Sequence, residues 1–235
     1  NDDTVTVFSI KDRHLTEVGK IQLEAKSEPR DVVFAPDGRS AYVMRWGDGK
    51  VTRLKVNGSN VSRAGDFTVG VNPDGGIVTQ DGRYLINTNF GGAPGADGKG
   101  AITVTDLRSG KLANVYAVGP QPEHVALSAD GKYLVAVVSN NSATTPGGRG
   151  FDTVFGKLVV FGVSGGKLTR IAEGDMGHAC QGATFSADGR TILAQCSLER
   201  EVETWHFDGR ALTRDKAATL TFRSRPGAIA TALSR

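Results

Sequence analysis

Apolar residues fall along this chain in strand-sized runs, many alternating with polar ones, and no segment carries the i, i+3, i+4 stripe of an amphipathic helix. The runs repeat. Arg30-Asp-Val-Val-Phe-Ala-Pro-Asp-Gly-Arg-Ser-Ala-Tyr-Val-Met returns as Glu123-His-Val-Ala-Leu-Ser-Ala-Asp-Gly-Lys-Tyr-Leu-Val-Ala-Val. It returns again as Gln181-Gly-Ala-Thr-Phe-Ser-Ala-Asp-Gly-Arg-Thr-Ile-Leu-Ala-Gln, with a weaker copy from Asp74 to Asn87. The turn aspartates Asp37, Asp81, Asp130 and Asp188 stand 44, 49 and 58 residues apart, a period that suits one blade of a β-propeller. Each Asp-Gly separates two β-rich runs and predicts a hairpin, because glycine accepts the positive φ of a tight turn. These runs are strands A and B.

A second hairpin follows each time, giving strands C and D: 51–56 with 61–69, 102–107 with 112–118, 158–163 with 168–176, and 202–207 with 212–222. Their turns read Asn-Gly, Ser-Gly, Gly-Gly and Asp-Gly. At the ends, 5–10 and 15–23 read as a fifth C and D pair, and 225–233 as a fifth A strand. The expectation is therefore all-β: a single propeller domain over 1–235, with four full four-stranded repeats and one composite blade. In that blade strands 5–23 close with 225–233, as a ring that leaves no open sheet edge requires. The missing B strand would precede Asn1, so the chain accounts for five blades, alone or within a larger ring.

Composition agrees with a turn-rich fold, since 31 of 235 residues are glycine, about 13% against a usual share of roughly 7%. Charge is nearly balanced, with 28 Lys and Arg against 25 Asp and Glu, and no basic cluster, which argues against nucleic acid. The longest apolar run, near 158–163, is far short of the roughly 20 residues of a membrane helix. Cys180 and Cys196 lie eight residues either side of Asp188, so they face each other across strands A and B; either a disulfide or a pair of reduced thiols satisfies that register.

The A–B hairpin, with Pro or Ser-Ala before Asp-Gly-Arg/Lys and then Tyr-Leu-Val or its equivalent, resembles the YVTN repeat of lactonase-like seven-bladed propellers. The resemblance covers essentially the whole chain, although five A strands are fewer than seven blades need. It implies a propeller fold and a range of roles, from 6-phosphogluconolactonases to exported proteins and propeller subunits of quinoprotein dehydrogenases. Likeness to the exported members favours the Cys180–Cys196 disulfide and a periplasmic or secreted location.

In a propeller the starts of the A strands ring the channel mouth, on the face that also carries the B-to-C loops. Two of those loops, 89–100 and 139–156, are long and glycine-rich. The residues seven and six before each turn aspartate are Arg30 and Asp31, Asp74 and Gly75, Glu123 and His124, Gln181 and Gly182; His178 precedes the fourth A strand and Arg225 opens the fifth, just before its Pro. Arg30, Asp31, Asp74, His178, Gln181 and Arg225 are the expected ligand-binding set. Arg30 and Arg225 would clamp a carboxylate or phosphate. Glu123 and His124 are the candidates for a general base on water attacking a lactone carbonyl. A solvated channel lined by polar side chains is the plainer alternative. No His-Glu-x-x-His, phosphate loop or Gly-x-Ser-x-Gly elbow occurs, so neither a metal nor a cofactor is expected. The sequence thus reads first as a scaffold that binds a small polar or anionic molecule, or a protein partner, at the channel mouth. Opening of a sugar lactone is the alternative.

Overall fold

A computed structural model of the chain describes residues 2–96 and 99–230. Two strands come first, β1 (Thr4–Lys11) and β2 (His14–Gln22), forming a two-stranded sheet. Four antiparallel four-stranded sheets follow. The first blade holds β3 (Pro29–Phe34), β4 (Ser40–Arg45), β5 (Lys50–Asn57) and β6 (Asn60–Thr68). The second holds β7 (Val71–Val78), β8 (Tyr84–Gly92), β9 (Ala101–Asp106) and β10 (Lys111–Ala117). The third holds β11 (Pro122–Leu127), β12 (Tyr133–Val138), β13 (Lys157–Ser164) and β14 (Lys167–Asp175). The fourth holds β15 (Cys180–Phe185), β16 (Thr191–Cys196), β17 (Glu201–Phe207) and β18 (Leu212–Thr221). No helix long and apolar enough to cross a membrane occurs among the described residues.

The turns follow from their side chains. In the A–B turns, Asp37, Asp81, Asp130 and Asp188 each accept a hydrogen bond from the backbone N–H two residues on, and Gly38, Gly82, Gly131 and Gly189 take φ between 66° and 70°. Thr79, Ser128 and Ser186 donate their hydroxyls to the same aspartates in the last three blades.

The core lies between consecutive blades. Met44, Val51 and Leu85 fill the first junction, Ile86, Ile102, Leu134 and Val159 the second, and Val160, Met176, Ile192 and Trp205 the third. Val5 and Ile21 of the two-stranded sheet pack on Val43 and Leu54 of the first blade. Trp205 is buried and its ring lies against Gly174, where a Cβ would come within 2.5 Å of it. Cys180 and Cys196 are paired in register across β15 and β16 and joined in a disulfide.

Residues 225–230 form no strand, and 231–233 lie outside the described residues, so the expected fifth A strand is not paired with β1 or β2 over its described part. The segment nevertheless runs along blade four. A Cβ at Gly182 would lie 2.9 Å from the Ile229 side chain.

Candidate functional site

Every inner strand bulges, by one residue in β3, β11 and β15 and by two between Pro73 and Gly76 of β7. The A–B ladders skip from Pro29 to Asp31, from Pro73 to Gly76, from Pro122 to His124 and from Cys180 to Gly182. A bulge turns the extra residue out of the pleat. The residues so displaced are Arg30, Asp74 with Gly75, Glu123 and Gln181. Two positions ahead of Arg30, Asp74, Glu123 and Gln181, the backbone takes positive φ at Glu28 (48°), Asn72 (53°), Gln121 (61°) and Ala179 (47°). None of these is glycine, and such backbone is held only where its surroundings impose it.

Asp74 and Glu123 meet. Their carboxyls are hydrogen-bonded to each other and half-buried, on neighbouring inner strands β7 and β11. Burial, followed by the negative charge of Asp74, pushes Glu123 up to about 8. Burial also raises Asp74, while the hydrogen bond from Glu123 pulls it back. With Glu123 raised to about 8, the pair holds a proton at neutral pH. The Arg30 guanidinium acts on both carboxyls through space and opposes their rise. It stacks 4.4 Å over the ring of Trp46, which packs against Phe90 at 4.9 Å. Arg30 is exposed and makes no ion pair within 4 Å among the described residues.

The neighbouring positions do different work. Asp31 accepts a hydrogen bond from the Gly76 backbone N–H of the next blade at 3.0 Å. His124 lies in the equivalent place two junctions further on, and its Nδ1 faces the Ala183 N–H at 3.5 Å. Burial lowers the His124 pKa, with Asp31 opposing, so the ring is neutral. Both side chains latch one inner strand to the next.

His178 stands apart from the pair. Its Nδ1 contacts Glu199, its Nε2 donates to the Phe151 carbonyl at 2.7 Å, and Phe151 stacks on it at 4.1 Å with Phe155 beside it. It pins the long 139–156 loop to blade four. Gln181 and Arg225 are exposed, and Arg225 makes no ion pair among the described residues. Among the described residues no group of three His, Cys, Asp or Glu is arranged to hold a metal ion.

Four repeated blades around inner strands that carry a polar bulge define this chain as a β-propeller. Residues 1–158 match the family model described as "Lactonase, 7-bladed beta-propeller", and the chain belongs to that family. A candidate 6-phosphogluconolactonase of Bacteroides fragilis is similar in structure, with TM-score 0.78 and 18% identity over 96% of this chain and 67% of the other. One from Bacteroides uniformis gives 0.74 and 14% over 93% and 65%. A protein of unknown function from Desulfotomaculum acetoxidans gives 0.76 and 11% over 98% and 67%. The chain spans about two thirds of the length of each. No curated protein matches it by sequence.

Proposed function

We propose that this propeller opens a lactone ring by hydrolysis, with Asp74 and Glu123 carrying the two proton transfers. The observation that carries the reading is the contact between these two half-buried carboxyls beside the Arg30 guanidinium. Membership of the lactonase family supports the substrate class. Ionised Asp74 takes a proton from water as the water oxygen bonds to the lactone carbonyl carbon. Arg30 holds the negative charge that develops on the carbonyl oxygen. Protonated Glu123 then gives its proton to the ring oxygen as the carbon–oxygen bond breaks. Return of the proton from Asp74 to Glu123 resets the pair, and one lactone and one water have become one hydroxy acid. His124 takes no proton in this scheme, because its Nδ1 faces the Ala183 N–H. The Cys180–Cys196 disulfide supports an oxidising compartment, the periplasm or the outside of the cell.

A second reading, binding of a small polar or anionic ligand or a protein partner without turnover, is favoured by Arg30, whose exposed guanidinium has no ion-pair partner among the described residues. Sugar lactones offered to the protein, with acid release followed at constant pH, separate the two. Hydrolysis predicts saturable acid release, with Arg30→Ala lowering kcat by roughly 10²- to 10³-fold, the scale of one lost oxyanion donor. Calorimetric binding without acid release would favour the second reading, and neither signal would refute both.

A further inference from the structure

The first and third junctions between inner strands are latched by the side chain that follows the bulge, Asp31 to the Gly76 N–H and His124 to the Ala183 N–H. The second junction lacks that device because Gly75 occupies the latch position. A Cβ there would lie 2.8 Å from the Glu123 carbonyl oxygen and 3.0 Å from the His124 Cα, so β7 and β11 approach more closely than any side chain at 75 permits. A threonine takes over the joint. Thr88 on β8 is fully buried, in the place that Met44, Val137 and Gln195 hold in the other blades. Its hydroxyl accepts from the Gly75 N–H at 2.9 Å and has the Glu123 carbonyl at 3.0 Å within donating reach, with the Gly75 carbonyl at 3.2 Å.

We infer that Thr88 is a positioning residue that, with Gly75, holds Asp74 against Glu123. One hydroxyl touches the backbone next to Asp74 and the backbone of Glu123, so it fixes the separation of the two carboxyls without touching either. Loss of it leaves the Gly75 N–H unsatisfied and frees β7 to move from β11. As a role in catalysis this rests on the lactone-opening reading; as a role in holding the pair it stands on the geometry alone.

The test uses Thr88→Val and Thr88→Ala, which remove the hydroxyl, Thr88→Ser, which keeps it, and Thr103→Val as a control. Thr103 is equally buried and bonds Asn87 and Asn89 instead. Titration of the Glu123 side chain by carbon-13 NMR reads the pair directly, and lactone opening reads its chemistry. Both hydroxyl-free variants should bring the Glu123 titration down toward the ordinary carboxylate range. They should also lower kcat by about 10²-fold, the scale of a small misplacement of reacting groups, with KM unchanged. Thr88→Ser should restore both, and Thr103→Val should change neither. Should Thr88→Val fail to fold, Thr88→Ala carries the measurement. An unmoved Glu123 titration in the hydroxyl-free variants, or an equal movement in Thr103→Val, overturns the inference. If the titration moves and returns with serine while no variant or wild type opens a lactone, the positioning role stands and the hydrolytic reading falls.

Discussion

Glu123 shows what burial does to a carboxyl that keeps a negative neighbour. Its ordinary value of 4.5 rises to about 8 in the folded protein. Glu203 rises to about 7, mainly through burial and in spite of Arg214, while accepting from the Gly177 N–H and the Trp205 indole. Both groups bind protons more tightly folded than unfolded, so their contribution is fully present below about 4.5 and is lost as pH rises through 7 and 8. Melting temperature should therefore fall between pH 5 and pH 8.5, and Glu123→Gln should flatten the upper part of that fall. Thermal scans across this range decide it, and a slope unchanged in Glu123→Gln would contradict the assignment of the high titration to Glu123. At this scale the sequence was partly legible. Arg30, Asp74 and Glu123 stand at one repeated position, seven before the turn aspartate, and at that position the inner strands bulge. What the repeat could not show is which of them touch. The approach of Asp74 to Glu123 depends on Gly75, which carries no side chain to mark it, and on Thr88, which sits on a B strand where no polar residue is called for. The Trp46 ring, which packs on Phe90 and carries Arg30 on its face, belongs to the same surroundings.

Strands were the most legible elements, because alternation and the Asp-Gly or Asn-Gly turns are local signals. The predicted C and D pairs agree with β5 and β6, β9 and β10, β13 and β14, and β17 and β18 to within a residue or two at each end. The bulges were hidden. A bulge adds one residue without changing the order of apolar and polar positions, and the positive φ at Glu28, Asn72, Gln121 and Ala179 falls on four different residue types. Cys180 and Cys196 are the exception, legible because their distance from the Asp188 turn is symmetric. Their bond closes a loop with a sequence separation of 16, for which chain-entropy arguments give about 3 kcal/mol of stabilisation. Protein taken from its native compartment should show no reactive thiol in denaturant until reductant is added. Cys180→Ser with Cys196→Ser should lower stability by about 2–4 kcal/mol in denaturant titrations. Two thiols titrating without reductant would contradict the bond and the oxidising location together.

For the whole molecule, four blades and a two-stranded sheet account for about two thirds of the length of the similar propellers. The end sheet presents Phe8, Ile10 and Leu15 to solvent, with Ile10 76% exposed, and β1 carries no charge before Lys11. Outer strands elsewhere are charged, as Arg63 and Asp66 on β6 or Arg170 and Glu173 on β14 illustrate, which is the usual protection of a sheet edge. The arc nevertheless holds the second junction complete, with first and third blades on either side, and the candidate site needs only Arg30, Asp74 and Glu123 from the first three blades. The measurement that bears most directly on the account is kcat/KM for lactone opening against pH, corrected for spontaneous hydrolysis, in wild type and Glu123→Gln. A proton-donating Glu123 predicts activity that falls above about pH 8 and drops about 10²- to 10⁴-fold in Glu123→Gln. Activity that runs level through pH 8 and survives the substitution would contradict it.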